Sequence, residues 1–348
     1  GVSKVGYGTN DSRLGGPFIG DNSVVFRSEA EQKNYWKVET KDHYTGKGWI
    51  PSGSTSFRID GDELIPVNSI PSTVETRDES ARLYLFMDYN HLIYPAGIQR
   101  AQFEREYSLE IDSIKEKVSI FGFNNKPIAP DAYTVEFKIP KYKAAELRET
   151  STANPGQMDA EFIARYTQLP ENLPARIKEL AESITDGETN WFDKAKAIER
   201  HFGGSEFRYD QKDVAVPGEN DDYVDQFLFD TKVGYCDNFS TSMAVLLRTL
   251  GIPTRWVKGY TGGDFREYSE GDSSKSIYEI TNNNAHSWVE VYFPNQGWVP
   301  FEPTKGFTND VSIDFTNADG TPAATETTAP PAAKPQQNVE EESSHSPE

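Results

Sequence analysis

Two hydrophobic periods divide this chain. Up to residue 145 apolar positions recur at every second residue in short runs, as from Tyr35 to Thr40, Ala81 to Met87, Gln102 to Tyr107 and Tyr133 to Ile139. Successive strand side chains point to opposite faces, so this period of two predicts half-buried strands. Tyr44 to Trp49 closes the first run, and Pro127, Pro130 and Pro140 punctuate the later ones. The pattern predicts a β-rich N-terminal domain over 1–150, built as an antiparallel sandwich or barrel.

The run Thr152-Ala153-Asn154-Pro155-Gly156 breaks the pattern, and 151–171 reads as a linker. Beyond it the period becomes helical. Ile177, Leu180, Ala181 and Ile184 share one helix face, Trp191, Ala195, Ile198 and Phe202 a second. A third stripe runs Cys236, Phe239, Met243, Leu247, Leu250 and stops at Gly251, just before Pro253. Strand patterns follow from Arg255 to Tyr260, Ile277 to Thr281, His286 to Phe293 and Trp298 to Glu302. Helices followed by strands predict an α+β domain over 172–316. The last stretch, 317–348, is rich in Thr, Ala, Pro, Ser and Glu and has no periodicity, which predicts a disordered acidic stalk or tail.

Composition narrows the functional classes. A net charge of −20 argues against nucleic acid or an anionic membrane surface as partner. No run approaches the ~18 apolar residues of a membrane span, and no secretory signal is visible. A start at Gly1 suggests an excised fragment. No metal or cofactor site is expected: Asp60-Gly61-Asp62-Glu63 lacks the ligand spacing of a calcium loop and reads as a solvated turn.

Cys236 is the only cysteine of 348 residues, which excludes an internal disulfide and a Cys-rich zinc site. It follows Gly234-Tyr235 and opens a helix, where unpaired N–H groups and the helix dipole favour a thiolate. Asp237 opposes that charge. The duller alternative is a small buried hydrophobe on the helix's inner face. His286 opens a strand whose face also carries Trp288, Glu290 and Tyr292, and a histidine bonded to a backbone carbonyl is its alternative. Glu290 lies about 13 Å along the strand from His286, too far to orient the ring. Glu302 is the better orienter, because a neighbouring strand can place it across from His286, although alone it reads as a surface carboxylate before a turn proline. A thiol, an imidazole and a carboxylate in this order are the parts of a thiol-based acyl-transfer site.

Gly234-Tyr235-Cys236, Gly251-Ile252-Pro253-Thr254-Arg255, His286-Ser287-Trp288-Val289-Glu290 and the stretch from Trp298 to Thr304 together resemble the transglutaminase-like superfamily over about 170–305. Gln168-Leu169-Pro170 and the run from Val224 to Phe229 extend the likeness to the extracytoplasmic region of its multi-pass, membrane-anchored bacterial members. The resemblance implies a papain-like core, a helix bundle packed on an antiparallel sheet. It implies that Cys236 attacks a carboxamide, His286 serves as base and then acid, and Glu302 orients His286. Glutamate stands where the family usually has aspartate. The Cys236 N–H is the expected first oxyanion donor. Animal members use an aromatic residue upstream of the cysteine as the second, which makes Tyr209 a candidate, with a core tyrosine as its alternative. Protein or peptide substrates of the cell envelope are implied, with transmembrane helices outside this chain. Crosslinking or deamidation of glutamine, peptide hydrolysis, and a non-catalytic envelope scaffold remain the alternatives.

Overall fold

The computed structural model describes residues 4–5, 7–8, 10–67, 69–316 and 320–321. Apart from 320 and 321, the expected disordered stretch from 317 onward lies outside the described residues.

Three sheets carry the molecule. The sheet next to the candidate site has four antiparallel strands, in the order Gly297–Phe301, Ala285–Phe293, Thr254–Tyr260, Trp36–Lys41. A second sheet runs Asp264–Ser269, Asp272–Thr281, Val24–Ala30, Glu75–Leu85, Ala132–Lys143, Ser312–Asp314, with Ile98–Gln102 also paired to Ala132–Lys143. Ser56–Asp60, Ser108–Asp112 and Lys117–Phe121 form a third, three-stranded sheet.

The mixed α+β class agrees with the sequence pattern, and strands of the β-rich first half also pair with strands of the second. Trp36–Lys41 pairs with Thr254–Tyr260, Val24–Ala30 with Asp272–Thr281, and Ser312–Asp314 adds in parallel to Ala132–Lys143. Strands from either side of residue 150 thus share two sheets. A half-buried strand pattern specifies faces but not partners, so the sequence cannot show this interleaving. Two local readings also change. Gln102 to Tyr107 is mostly the turn leaving Ile98–Gln102, and Pro140 lies inside Ala132–Lys143 rather than ending it. Within 151–171, residues Ala160–Tyr166 form a helix whose Phe162 and Tyr166 rings pack on Trp298 at 5.7 and 4.8 Å.

Helix Cys236–Thr249 packs on Ala285–Phe293 and Thr254–Tyr260, with Ala175–Ile184 and Trp191–His201 against its other side. Enclosed this way, it is buried from Cys236 through Arg248 rather than along a single stripe. Phe239, Met243 and Leu247 belong to the helical core, while Cys236 and Tyr235 join the core of the N-terminal strands. The cysteine therefore stands at the seam between the two.

Gly259 explains how the seam closes. A Cβ there would lie 1.7 Å from the Trp36 carbonyl oxygen, so only glycine lets Trp36–Lys41 approach so closely. A buried ion cluster then ties the first half to the sheet. Glu290 accepts from Lys37 Nζ at 2.9 Å and Arg255 Nε at 2.8 Å, and Arg255 also reaches Glu116 at 2.7 Å.

Candidate active site

The chain enters the site through Val233–Gly234, a short strand parallel to Arg208–Tyr209. A Cβ on Gly234 would meet Asn238 Oδ1 at 2.2 Å, so the turn requires glycine. That oxygen accepts from the Tyr235 N–H at 3.1 Å and satisfies one donor at the helix start. Cys236 follows in the first turn, where N–H groups lack intrahelical partners and the helix dipole is positive.

His286, 5% exposed, stands opposite Gly259 near the start of its strand. On the other side Val289 pairs with Phe301, and continuing that register puts Glu302 opposite Trp288. Glu302 is therefore a diagonal neighbour of His286 on the same face, a reach suited to a long side chain. Its Oε1 lies 2.5 Å from His286 Nε2, which leaves Nδ1 to serve the thiol side. Glu302 is 6% exposed, not a surface carboxylate. Its Oε2 accepts from the Thr304 N–H at 3.1 Å, and its own N–H donates to Glu199.

Burial disfavours a charged imidazole, but the Glu302 carboxylate, followed by the Cys236 thiol, more than offsets this. The His286 pKa is consequently raised well above the ordinary histidine value. Aromatic rings fix the imidazole: Phe307 stacks at 4.6 Å, Trp288 at 6.2 Å, and Tyr35 meets it edge-on at 5.7 Å. Glu290 takes no part, being held in the ion cluster with Lys37 and Arg255. Beside the thiol, buried Asp237 lies 3.8 Å from Sγ and accepts from Ser287 Oγ at 2.8 Å.

Tyr209 lies alongside Gly234, its hydroxyl accepting from Gln211 at 3.1 Å and its ring 5.8 Å from Phe307. It does not line the cleft over Cys236. That cleft encloses only about 10 Å³ and is bounded by Tyr7, Gly8, Phe18, Tyr235, Lys258 and Ala285 besides Asp237, Cys236 and His286. A space near the size of one water does not admit a carboxamide side chain. Tyr7, Gly8 and Phe18 supply much of the cover, and nearby Asp11 is held between Lys41 at 2.5 Å and Lys258 at 2.8 Å. A second cavity of about 470 Å³ has Tyr35, Trp288, Glu302 and Phe307 in its wall, but neither Cys236 nor His286. Sequence reasoning missed Tyr35, Phe307, Asp11 and Lys258. Each lies outside the recognisable motifs and reaches the site only through folding.

Similarity to known proteins follows the same outline. Residues 178–303 match the model of the transglutaminase-like superfamily. The uncharacterized protein YebA of Bacillus subtilis is 45% identical over 329 residues, covering 92% of this chain and 43% of that protein. A Pseudomonas aeruginosa protein named protein-glutamine gamma-glutamyltransferase is 34% identical over 158 residues, covering 45% of this chain and 21% of its own length. The chain thus spans less than half of either relative. The crystal structure of the periplasmic domain of TgpA from Pseudomonas aeruginosa shares the fold, with a TM-score of 0.59 at 21% identity over 81% of this chain and 88% of that one. Among the described residues, no helix is long and apolar enough to cross a membrane. The segment 178–303 is thus a core of the transglutaminase-like superfamily.

Proposed function

We propose that this protein transfers acyl groups from peptide-bound carboxamides through a thioester on Cys236. The observation that carries the reading is the 2.5 Å contact between His286 Nε2 and Glu302 Oε1. It is buried beside the protein's one thiol, which acts on the same ring. In the first half-reaction His286 takes the thiol proton and Sγ attacks the carboxamide carbon. His286 returns the proton to the leaving nitrogen, the C–N bond breaks and ammonia departs, leaving the thioester. A lysine amine then attacks, giving an isopeptide bond and free thiol, or water attacks and leaves a carboxylate. Glu302 holds the ring in the productive tautomer and stabilises the imidazolium. The Cys236 N–H is the first donor to the tetrahedral oxyanion, with Tyr209 the candidate second donor once the cleft opens.

The gamma-glutamyltransferase name of the Pseudomonas relative supports glutamine as the acyl donor. The likeness to a periplasmic domain supports action on envelope proteins or peptides outside the cytoplasm, with membrane anchorage supplied by segments beyond this chain. The test is incorporation of dansylcadaverine into a glutamine-rich protein, with ammonia release followed in parallel. Label and ammonia together indicate transfer, and ammonia alone indicates deamidation. Neither product, with Cys236→Ala indistinguishable from wild type, would overturn the reading in favour of a binding scaffold.

A further inference from the structure

The Glu302 carboxylate has a partner from outside the 178–303 core. Tyr35 precedes strand Trp36–Lys41, and its hydroxyl donates to Glu302 Oε1 at 2.6 Å. This is the same oxygen that His286 Nε2 meets at 2.5 Å. The Tyr35 ring also stands edge-on to His286 and, at 5.0 Å, to Trp288. One residue thus bonds the orienting carboxylate and packs on the ring being oriented.

We infer that Tyr35 is a positioning residue of the Cys236–His286–Glu302 site, fixing the carboxylate rotamer that holds the imidazole. The placement is not incidental to the strand. In register, Gly259 has Lys37 on one side and His286 on the other. The close approach that Gly259 permits therefore sets the distance from the Tyr35 end of the strand to His286. Glu302 makes the demand plain: with one methylene more than aspartate, its side chain has one more rotatable bond to fix. The Thr304 N–H holds one oxygen and Tyr35 holds the other, so two donors from opposite ends of the chain define the carboxylate plane. Tyr35 and Glu302 also share a wall of the 470 Å³ cavity.

The titratable groups around His286 are Glu302 from the end of the adjoining strand, Cys236 and Asp237 from the helix, Tyr235 just before it, Tyr35, and Tyr7 and Lys258 across the small cleft. Besides His286 itself, the Tyr35 hydroxyl and the Thr304 N–H donate to the Glu302 carboxylate and restrain it.

The inference rests on the proposed function for its catalytic meaning, but its test does not require turnover. The side-chain signals of the five histidines are followed by NMR against pH, with His286→Ala to assign the one of interest. Tyr35→Phe keeps the ring and removes only the hydroxyl; Tyr35→Leu removes both. In Tyr35→Phe the His286 midpoint is expected to fall, because a loosened carboxylate supports the imidazolium less. Amine transfer should lose about tenfold in kcat with KM little changed. A midpoint that stays in place or rises in Tyr35→Phe overturns the inference. In that case Tyr35 merely packs, or competes with His286 for the oxygen. A midpoint that falls in a protein without transfer or hydrolysis keeps the positioning role and rejects the catalytic reading. Thermal melts of all three variants report whether the fold is intact. If Tyr35→Phe fails to fold, the comparison moves to Thr304→Pro, which removes the other donor. A His286 midpoint that falls there shows that restraint of Glu302 matters, and one that does not overturns the inference.

Discussion

His286 and Glu302 meet at 2.5 Å although they are not directly opposed in the sheet. The register sets Glu302 against Trp288, and the carboxylate reaches His286 along the diagonal. Glutamate in place of the usual aspartate is consistent with that geometry. Glu302→Asp should therefore lose activity, by roughly tenfold, because a shorter arm cannot keep Tyr35, Thr304 and His286 together. Glu302→Gln should lose more, about 10²-fold or beyond, since a neutral amide cannot support the imidazolium. Steady-state amine transfer measures both, and a gain in Glu302→Asp would show that the diagonal is no constraint.

Asp11 should govern access to Cys236. Its carboxylate sits between two buried lysines, Lys41 and Lys258, and holds the segment that contributes Tyr7 and Gly8 to the cleft. Asp11→Asn weakens that anchor. Iodoacetamide alkylation of the single thiol, followed by intact mass at neutral pH, should accelerate roughly tenfold or more as opening becomes easier. An unchanged rate would mean that the cover is held by other contacts, such as the Tyr235 hydroxyl on the Gly16 carbonyl at 3.1 Å.

Two histidines should give stability opposite pH slopes. Burial, aided by the Lys117 charge, lowers the His91 pKa to about 4, and its buried Nε2 has no hydrogen-bond partner among the described residues. The unfolded chain takes up that proton below about pH 6.5 while the folded protein does not, so stability falls as pH drops from ~6.5 towards 4. His91→Phe should flatten this limb, removing up to about 3 kcal/mol of dependence. His286 works in the other direction. Its raised pKa gives stability that is complete below the unfolded value and is lost as pH rises through the folded one. Urea unfolding of wild type, His91→Phe and His286→Ala across pH 4.5 to 9 separates the two limbs.

Gly259→Ala should be among the most damaging small substitutions. Its added methyl collides with the Trp36 carbonyl at 1.7 Å, and backbone cannot swing aside as a side chain can. A loss of about 3 kcal/mol or more is expected, with the Tyr35 contact broken even in molecules that remain folded. The His286 titration in such a variant should resemble that of Tyr35→Phe.

Local patterns located many of the elements and singled out three candidate residues that the fold brings close together. The stripe ending at Gly251 marks helix Cys236–Thr249 correctly, and the period-two runs find Thr254–Tyr260, Ala285–Phe293 and Gly297–Phe301 to within a few residues. These signals are legible because side-chain direction follows backbone period, whatever the partner. Cys236, His286 and Glu302 are legible because their residue types carry the chemistry and lie in compact motifs. Tertiary structure decided what each strand pairs with, and therefore what completes the site. Tyr35 is 267 residues from Glu302, and Asp11 is 247 from Lys258. No local period records such distances. Strand registers, and the close approach that Gly259 allows, bring these residues into contact, so the first half of the chain is built into a site whose motifs all lie in the second.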